Sequence, residues 1–311
     1  RVDQSTDVPA GQGFANSNKI SCTTADTSQD ANNTLYFQTQ LEGNSTSLLN
    51  YFVASPDTVS IAFWVRSNRT GTHSLALKLS DNGSIENNSA TRVYNKLYTI
   101  SSANTWEKIV CAIPLDSSTS ETKVTGTGFA VAVLFWMGAG DSRDGAAAES
   151  WIDNGNATTA SANEDLLAST SNDWYITGLQ MEAGEYDLTT IPPFQHESLG
   201  DNLARCQRYY QKSYDYGTAP ATTTFNGMKF YNTISSGTGN IGGSCDLKVS
   251  MRAAPTVTFY DQAGNSNKFY KGVNNKNGVA DMIGTDRFRV ISQDSTTASE
   301  GGYHFEATGE L

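Results

Sequence analysis

The chain has 311 residues, 38% hydrophobic, 10% aromatic and 17% charged, and 33 Ser, 35 Thr, 25 Asn and 27 Gly take the place of the missing charge; that is ample apolar material for a packed core and excludes a chain disordered throughout. Net charge is −11, all of it in residues 1–190, which hold 10 Lys and Arg against 21 Asp and Glu, while residues 191–311 hold 11 of each; the sign is the reverse of what a nucleic-acid-binding surface needs. No apolar run approaches the ~20 residues of a membrane helix, so membrane insertion is not expected, and the length calls for two domains.

The N-terminal Arg1-Val2-Asp3-Gln4 has neither an initiator Met nor an apolar leader, and reads as the start of a processed chain or of a piece of a longer one. Beyond it, period two dominates. Val59, Ile61, Phe63 and Val65 alternate with Ser60, Ala62, Trp64 and Arg66; Leu75, Leu77 and Leu79 alternate with Ala76 and Lys78. Ile109, Cys111 and Ile113 continue the pattern, as do Phe129, Val131, Val133 and Phe135, which alternate with Ala130, Ala132, Leu134 and Trp136. Strands of this kind between Gly-, Asn- and Ser-rich turns spell an antiparallel sandwich. The polar stretch Ala139–Asp173 is longer than a usual loop and is expected to contain a short strand at Trp151-Ile152.

One segment has a helical period. Leu203, Cys206, Gln207 and Tyr210 stand at i, i+3, i+4 and i+7, which predicts a helix over Leu203–Ser213, capped by Asp201 or Asn202. The Asn226-Gly227 pair predicts a hairpin joining Thr222–Phe225 to Met228–Tyr231. Further strands are expected at Asp246–Ser250, Thr256–Tyr260, Arg287–Ser292 and Tyr303–Thr308. The fold class is therefore all-β, with a sandwich over 1–190 and a smaller β domain over 191–311 that begins with the helix.

Chemistry is sparse. His73, His196 and His304 stand far from one another and from any Cys, and no zinc, nucleophile-elbow or phosphate-loop motif occurs. Cys22, Cys111, Cys206 and Cys245 are widely spaced and read as small buried thiols. No cofactor is expected; calcium is the one the acidity admits, and no calcium-loop motif supports it.

Sugar recognition needs aromatic faces flanked by groups that pair with hydroxyls. Trp64 and Trp136 stand opposite the aliphatic stripes of their strands and are expected to point outward, with Arg66 and Asn68 just beyond Trp64. Glu149 and Asp153 flank Trp151, and Asn154 comes next. Two carboxylates around an indole can grip a sugar, or cleave one if ~5–10 Å apart. The loops from Tyr260 to Lys276 are the second place to look.

The run Trp174-Tyr175-Ile176-Thr177-Gly178-Leu179-Gln180-Met181-Glu182-Ala183-Gly184 resembles the end of a jelly-roll domain common in bacteriophage tail and virion surface proteins. Pro193-Phe194-Gln195-His196-Glu197-Ser198 and Asn202-Leu203-Ala204-Arg205-Cys206-Gln207-Arg208-Tyr209-Tyr210 resemble the segments that come next in that family. Ser60–Ser67 resembles the family's first long strand, Gly71–Ser74 fits the turn after it and Thr105–Lys108 a later strand, and Met251–Val257 and Tyr303–Leu311 fit its small C-terminal domain. The resemblance spans roughly residues 50–311. It implies a carbohydrate-binding-module-like jelly roll in a non-enzymatic virion protein, often homotrimeric, whose partners are its own copies, other virion proteins and a host cell-surface glycan. A tail fibre or appendage is the leading reading. A capsid decoration or head fibre protein and a glycan depolymerase are the alternatives. The family has no fixed set of binding residues to carry over.

Overall fold

The computed structural model describes every residue except 84–90, 154–163, 233–241, 273, 293–299 and 311. It is nearly all β, with 46% strand and 6% helix, the class that period-two patterning predicts. The chain forms two compact units, Arg1–His196 and Glu197–Glu310.

Unit 1 contains β1 (Val2–Ser5), β2 (Ser17–Ser21), β3 (Thr34–Glu42), β4 (Thr58–Ser67), β5 (Gly71–Ser80), β6 (Thr91–Ile100), β7 (Glu107–Pro114), β8 (Phe129–Ala139), β9 (Trp151–Asp153) and β10 (Asp173–Ala183). They make two five-stranded antiparallel sheets, ordered β1-β2-β10-β4-β7 and β3-β8-β5-β6-β9. The chain crosses from one sheet to the other at β2–β3, β3–β4, β4–β5, β6–β7, β7–β8 and β9–β10, the repeated crossing of a jelly-roll sandwich. The stripes Val59, Ile61, Phe63, Val65 and Leu75, Leu77, Leu79 are completely buried and meet Val131, Val133 and Phe135 between the sheets. Phe63 centres this core, edge-on to Phe135 at 4.9 Å and to Tyr98 at 5.2 Å. In β10 the pairing shifts register between Thr177 and Gln180. Gly178 absorbs the shift at φ +62, and a Cβ there would come within 2.5 Å of the Phe14 ring.

The second sheet is apolar on its outer face too. Ala76, Val93, Phe129, Ala132, Leu134 and Trp136 form a separate buried cluster there. Trp136 is 1% exposed and touches Tyr36 edge-on at 5.3 Å. The segments 29–33 and 140–149 lie against this sheet: Gly140 and Ser142 donate to Asn33 and Ala31, and Ala148 bridges to Asn95 of β6. Lys78, on the same face, is buried, and burial first and Arg143 second lower its pKa to about 8.

Unit 2 contains α1 (Leu199–Gln207), β11 (Tyr210–Lys212), β12 (Lys229–Asn232), β13 (Gly242–Asp246), β14 (Thr256–Tyr260), β15 (Lys268–Lys271), β16 (Asn274–Asp281), β17 (Arg287–Ser292) and β18 (Glu300–Thr308). The strands form one sheet whose hub is β18, paired with β11, β12, β14 and β15. Its core gathers Phe259, Phe269, Phe288, Val290, Tyr303 and Phe305.

Four expectations from the sequence give way in the second unit. The helix runs over Leu199–Gln207, not Leu203–Ser213. Ser198 caps it, its hydroxyl accepting from the Asp201 amide at 3.2 Å while donating to the Asp201 carboxylate at 2.7 Å. Tyr210–Lys212, which carries the end of the helical period, pairs with β18 instead. Asn226-Gly227 makes a turn, the Met228 amide donating to Phe225 at 3.2 Å. No hairpin forms: β12 pairs with β18, and Thr224 donates to Gln262. The strand expected at Asp246–Ser250 lies earlier, as β13. Cys22, Cys111 and Cys245 are buried as expected, whereas Cys206 is exposed on α1.

The cores set two testable expectations. Phe63→Ala is expected to destabilise unit 1 by about 3–5 kcal/mol, as large aromatic truncations do, measured by denaturant unfolding. Burial lowers the pKa of both His73 and His304 below the ordinary 6.5. His304 is completely buried; its Nε2 donates to the Thr224 carbonyl at 3.0 Å, so Nδ1 of the neutral ring accepts from the Ser213 hydroxyl at 3.0 Å. The folded state therefore takes up these protons later than the unfolded state. This stability is complete above the unfolded value of 6.5 and is lost as pH falls below it. NMR titration should place both imidazole midpoints below 6.5; midpoints at or above that value contradict the assignment.

Candidate binding site at the edge of the sandwich

Strand β9 is short because it exists only as a cap on the edge of β6, with Arg92 opposite Asp153, Val93 opposite Ile152 and Tyr94 opposite Trp151. Ile152 faces the outer apolar cluster, so Trp151 must turn toward the space between the sheets. Its indole lies 5.5 Å from the Tyr94 ring, and its Nε1 donates to the Pro114 carbonyl of β7 at 2.8 Å. The ring is only partly buried.

Charges of alternating sign surround this indole. Arg92 donates through Nε to Asp116 at 2.7 Å and through a terminal nitrogen to Asp153 at 2.6 Å. The Asp116 side chain is 4% exposed and that of Asp153 is 83% exposed. Burial works against the Arg92 charge, and the bonds to Asp116 and Asp153 more than offset it, so its pKa stands above the ordinary value. Further along the same face of β6, Lys96 Nζ lies 2.7 Å from the Glu149 carboxylate. Glu149 sits at φ +61, a left-handed conformation rare for a residue with a side chain. Its amide donates to the Asn95 carbonyl, which holds the turn into β9. Tyr94 stands between the two ion pairs, its phenol pKa raised by burial and then by Glu149.

The structure thus brings Glu149, Trp151 and Asp153 together and adds Arg92, Tyr94, Lys96 and Asp116. Arg92, Tyr94 and Lys96 occupy every second position of one strand, a face visible in the sequence once β6 is recognised. Asn154 lies outside the described residues.

The other expected contacts separate. Trp64 and Trp136 stand on different sheets, on outer faces that point away from each other, and cannot line one groove. Trp136 is not outward-pointing but sealed under its own chain. Trp64 is partly exposed beside Lys108 and Thr177. Arg66 serves the fold: it bonds to the Asn104 carbonyl at 3.1 Å, pairs with Asp7 at 3.2 Å and covers the Tyr175 ring at 4.8 Å. Asn68 is likewise committed, donating to the Ser171 carbonyl at 3.0 Å and accepting from the Asp173 amide at 3.0 Å. Trp106, which no pattern in the sequence singles out, belongs to this face and donates to Asp7 at 2.8 Å. At the opposite edge of the sandwich a groove of about 520 Å³ is lined by Asn16, Asn18, Phe37, Gln38 and Gly178. Among the described residues no group of three or more His, Cys, Asp and Glu side chains is placed to hold a metal ion.

The ion pairs at this edge differ in burial, and their loss should differ in cost. Arg92→Ala leaves the buried Asp116 carboxylate without its cation and is expected to cost about 3 kcal/mol. Asp153→Ala, at an exposed carboxylate, is expected to cost under ~1 kcal/mol. Denaturant midpoints of the two variants provide the check, and equal losses would contradict this division.

No family model matches the chain, and no curated protein matches it. Among solved structures, the chain is similar to a protein of Bacteroides thetaiotaomicron suggested to bind sugar, with 10% identity over 59% of this chain and 81% of that one and a TM-score of 0.29. It is also similar to the PBSX exported protein XepA, with 10% identity over 97% of this chain and 89% of that one and a TM-score of 0.21. Likenesses this distant carry no argument about what the chain does.

Proposed function

We propose that this chain is a non-enzymatic surface protein of a bacteriophage particle, a tail fibre or appendage, whose unit 1 makes weak contacts with host glycans at the β6–β9 edge. The observation that carries the reading is the partly exposed Trp151 set between the Arg92–Asp153 and Lys96–Glu149 ion pairs. An indole face offers apolar area to sugar C–H groups, and flanking charged groups exchange hydrogen bonds with hydroxyls. The ordered sequence segments that resemble phage virion proteins supply the biological setting. Both carboxylates at the edge already face a cation within hydrogen-bonding distance, which suits holding hydroxyls better than proton transfer, so the depolymerase reading is the weaker one.

One shallow edge supports only weak binding, near the ~1 mM that corresponds to about −4 kcal/mol. Several copies on one particle turn weak contacts into firm attachment. A homotrimer, suggested by the same resemblance, would supply them; light scattering of the full-length protein at micromolar concentration should give a trimer mass, and a monomer mass would contradict it. The cover that an outward Trp136 would need is supplied within the chain, so it is no argument for the trimer.

Titration of host surface polysaccharide against single variants tests the site. Trp151→Ala is expected to weaken binding about tenfold, whereas Trp136→Phe, at a sealed position, should leave it unchanged. A Trp151→Ala protein that folds and binds like the parent would overturn the assignment.

A further inference from the structure

Unit 1 has two open sheets and therefore four edge strands, β1 and β7 in the first sheet and β3 and β9 in the second. A bare edge offers a row of unpaired N–H and C=O groups to any other strand, and proteins guard such edges by keeping them short or by placing charge or proline on them. Three of the four are guarded. β1 has four residues and β9 three, and β7 carries Glu107, Lys108 and Pro114. β3 is different: it has nine residues, with no proline and no charge before Glu42. Between two register shifts, Tyr36–Leu41 pairs with β8 without interruption, a regular edge about 20 Å long. Apart from that ladder, no main-chain group of Thr34–Leu41 makes a hydrogen bond among the described residues.

The groove of about 520 Å³ lies beside this strand. It opens where β2, which follows β10 only from Asp173 to Ile176, parts from it. Phe37 and Thr39 of β3 line it from one side, and Ile176 and Leu179 of β10 and Asn18 of β2 from the other. None of its lining residues is charged, in a chain whose net charge is −11. Gln38 also lines it, and the side-chain Oε1 of Gln38 is buried with no hydrogen-bond partner among the described residues. Thr39 and Asn18 are exposed.

We propose that the free edge of β3 and the groove beside it take an extended, uncharged strand of another protein, which adds to the five-stranded second sheet as a sixth strand. Main-chain hydrogen bonds to β3 supply the affinity, and alternate side chains supply the selection. One set of side chains, apolar, enters the groove over Phe37, Ile176 and Leu179; the other set stays beside Gln38 and Gln40 on the outer face. A charged side chain in the groove would lose its water and find no partner of opposite sign. A second copy's β3 can reach the edge but cannot fill the groove, because its Leu35, Phe37 and Leu41 are packed against its own core. A neutral glycan can meet Asn18 and Thr39, but it leaves the row of main-chain groups unused. The site lies at the opposite edge of the sandwich from Trp151 and does not depend on it.

The test titrates the full chain with the peptide acetyl-Thr-Val-Thr-Val-Thr-Val-Thr-amide, which is expected to bind. A strand joins a sheet through one of its two edges, so N-methylation of one alternate set of its amides should cost at least about tenfold in affinity, and of the other set little. Thr39→Lys and Asn18→Lys, at exposed positions on the two walls of the groove, should each cost at least about tenfold by supplying the missing guard charge. Denaturant unfolding confirms that both variants are folded. Both should leave polysaccharide binding at Trp151 as it is, so this proposal and the glycan site fail separately. No peptide binding, equal tolerance of the two N-methylated forms, or binding that survives both lysines would overturn the proposal. Dextran oligosaccharide binding that Thr39→Lys abolishes would overturn it in favour of a glycan, and self-association that Thr39→Lys abolishes would overturn it in favour of a second copy.

Discussion

Strand β8 is apolar on both faces, and the first unit is arranged around that constraint. Val131, Val133 and Phe135 fill the space between the sheets, while Ala132, Leu134 and Trp136 require cover on the outside. At roughly 25 cal/mol per Å², leaving an indole and a leucine in water would forfeit several kcal/mol. The chain leaving β8 therefore turns back along the sheet through residues 140–149, and there Ala148 and Glu149 pair with Asn95. That return path delivers β9 to the free edge of β6. The position of Glu149, Trp151 and Asp153 is thus a consequence of how a doubly buried strand is sealed.

Much of this is legible in the sequence, and the exceptions have definite causes. The alternation in β4, β5 and β7 identifies the inter-sheet stripe, and in β8 it does so from Val131 to Phe135; at the start of β8 it slips, Phe129 joining the outer cluster and Ala130 the inner core, where the pairing with β3 shifts register. Trp136 departs from expectation because alternation by itself implies one wet face. Its companions Ala132 and Leu134 are apolar, and a continuous apolar strand is buried on both sides. The acidic flanks of Trp151 mark a real cluster, but its cations come from β6, 53 and 61 residues away in sequence, and no local pattern announces such pairing. Arg66 and Asn68 look free in the sequence because their partners, Asp7, Asn104, Ser171 and Asp173, are distant too. In unit 2 the local signals for a longer helix and a hairpin yield to β18, whose pairing recruits both Tyr210–Lys212 and Lys229–Asn232.

The indole N–H resonances of the five Trp residues, recorded by NMR during titration with host surface polysaccharide, report on the edge site directly. Trp136 and Trp174 are each 1% exposed and serve as internal controls, while Trp64 and Trp106 report on the outer face of the first sheet. The Trp151 resonance is expected to move in a saturable way, with the resonances of Trp136 and Trp174 still. A saturable shift at Trp64 or Trp106 with Trp151 unmoved, or no shift at any indole while the polysaccharide binds, would contradict a glycan site built on Trp151.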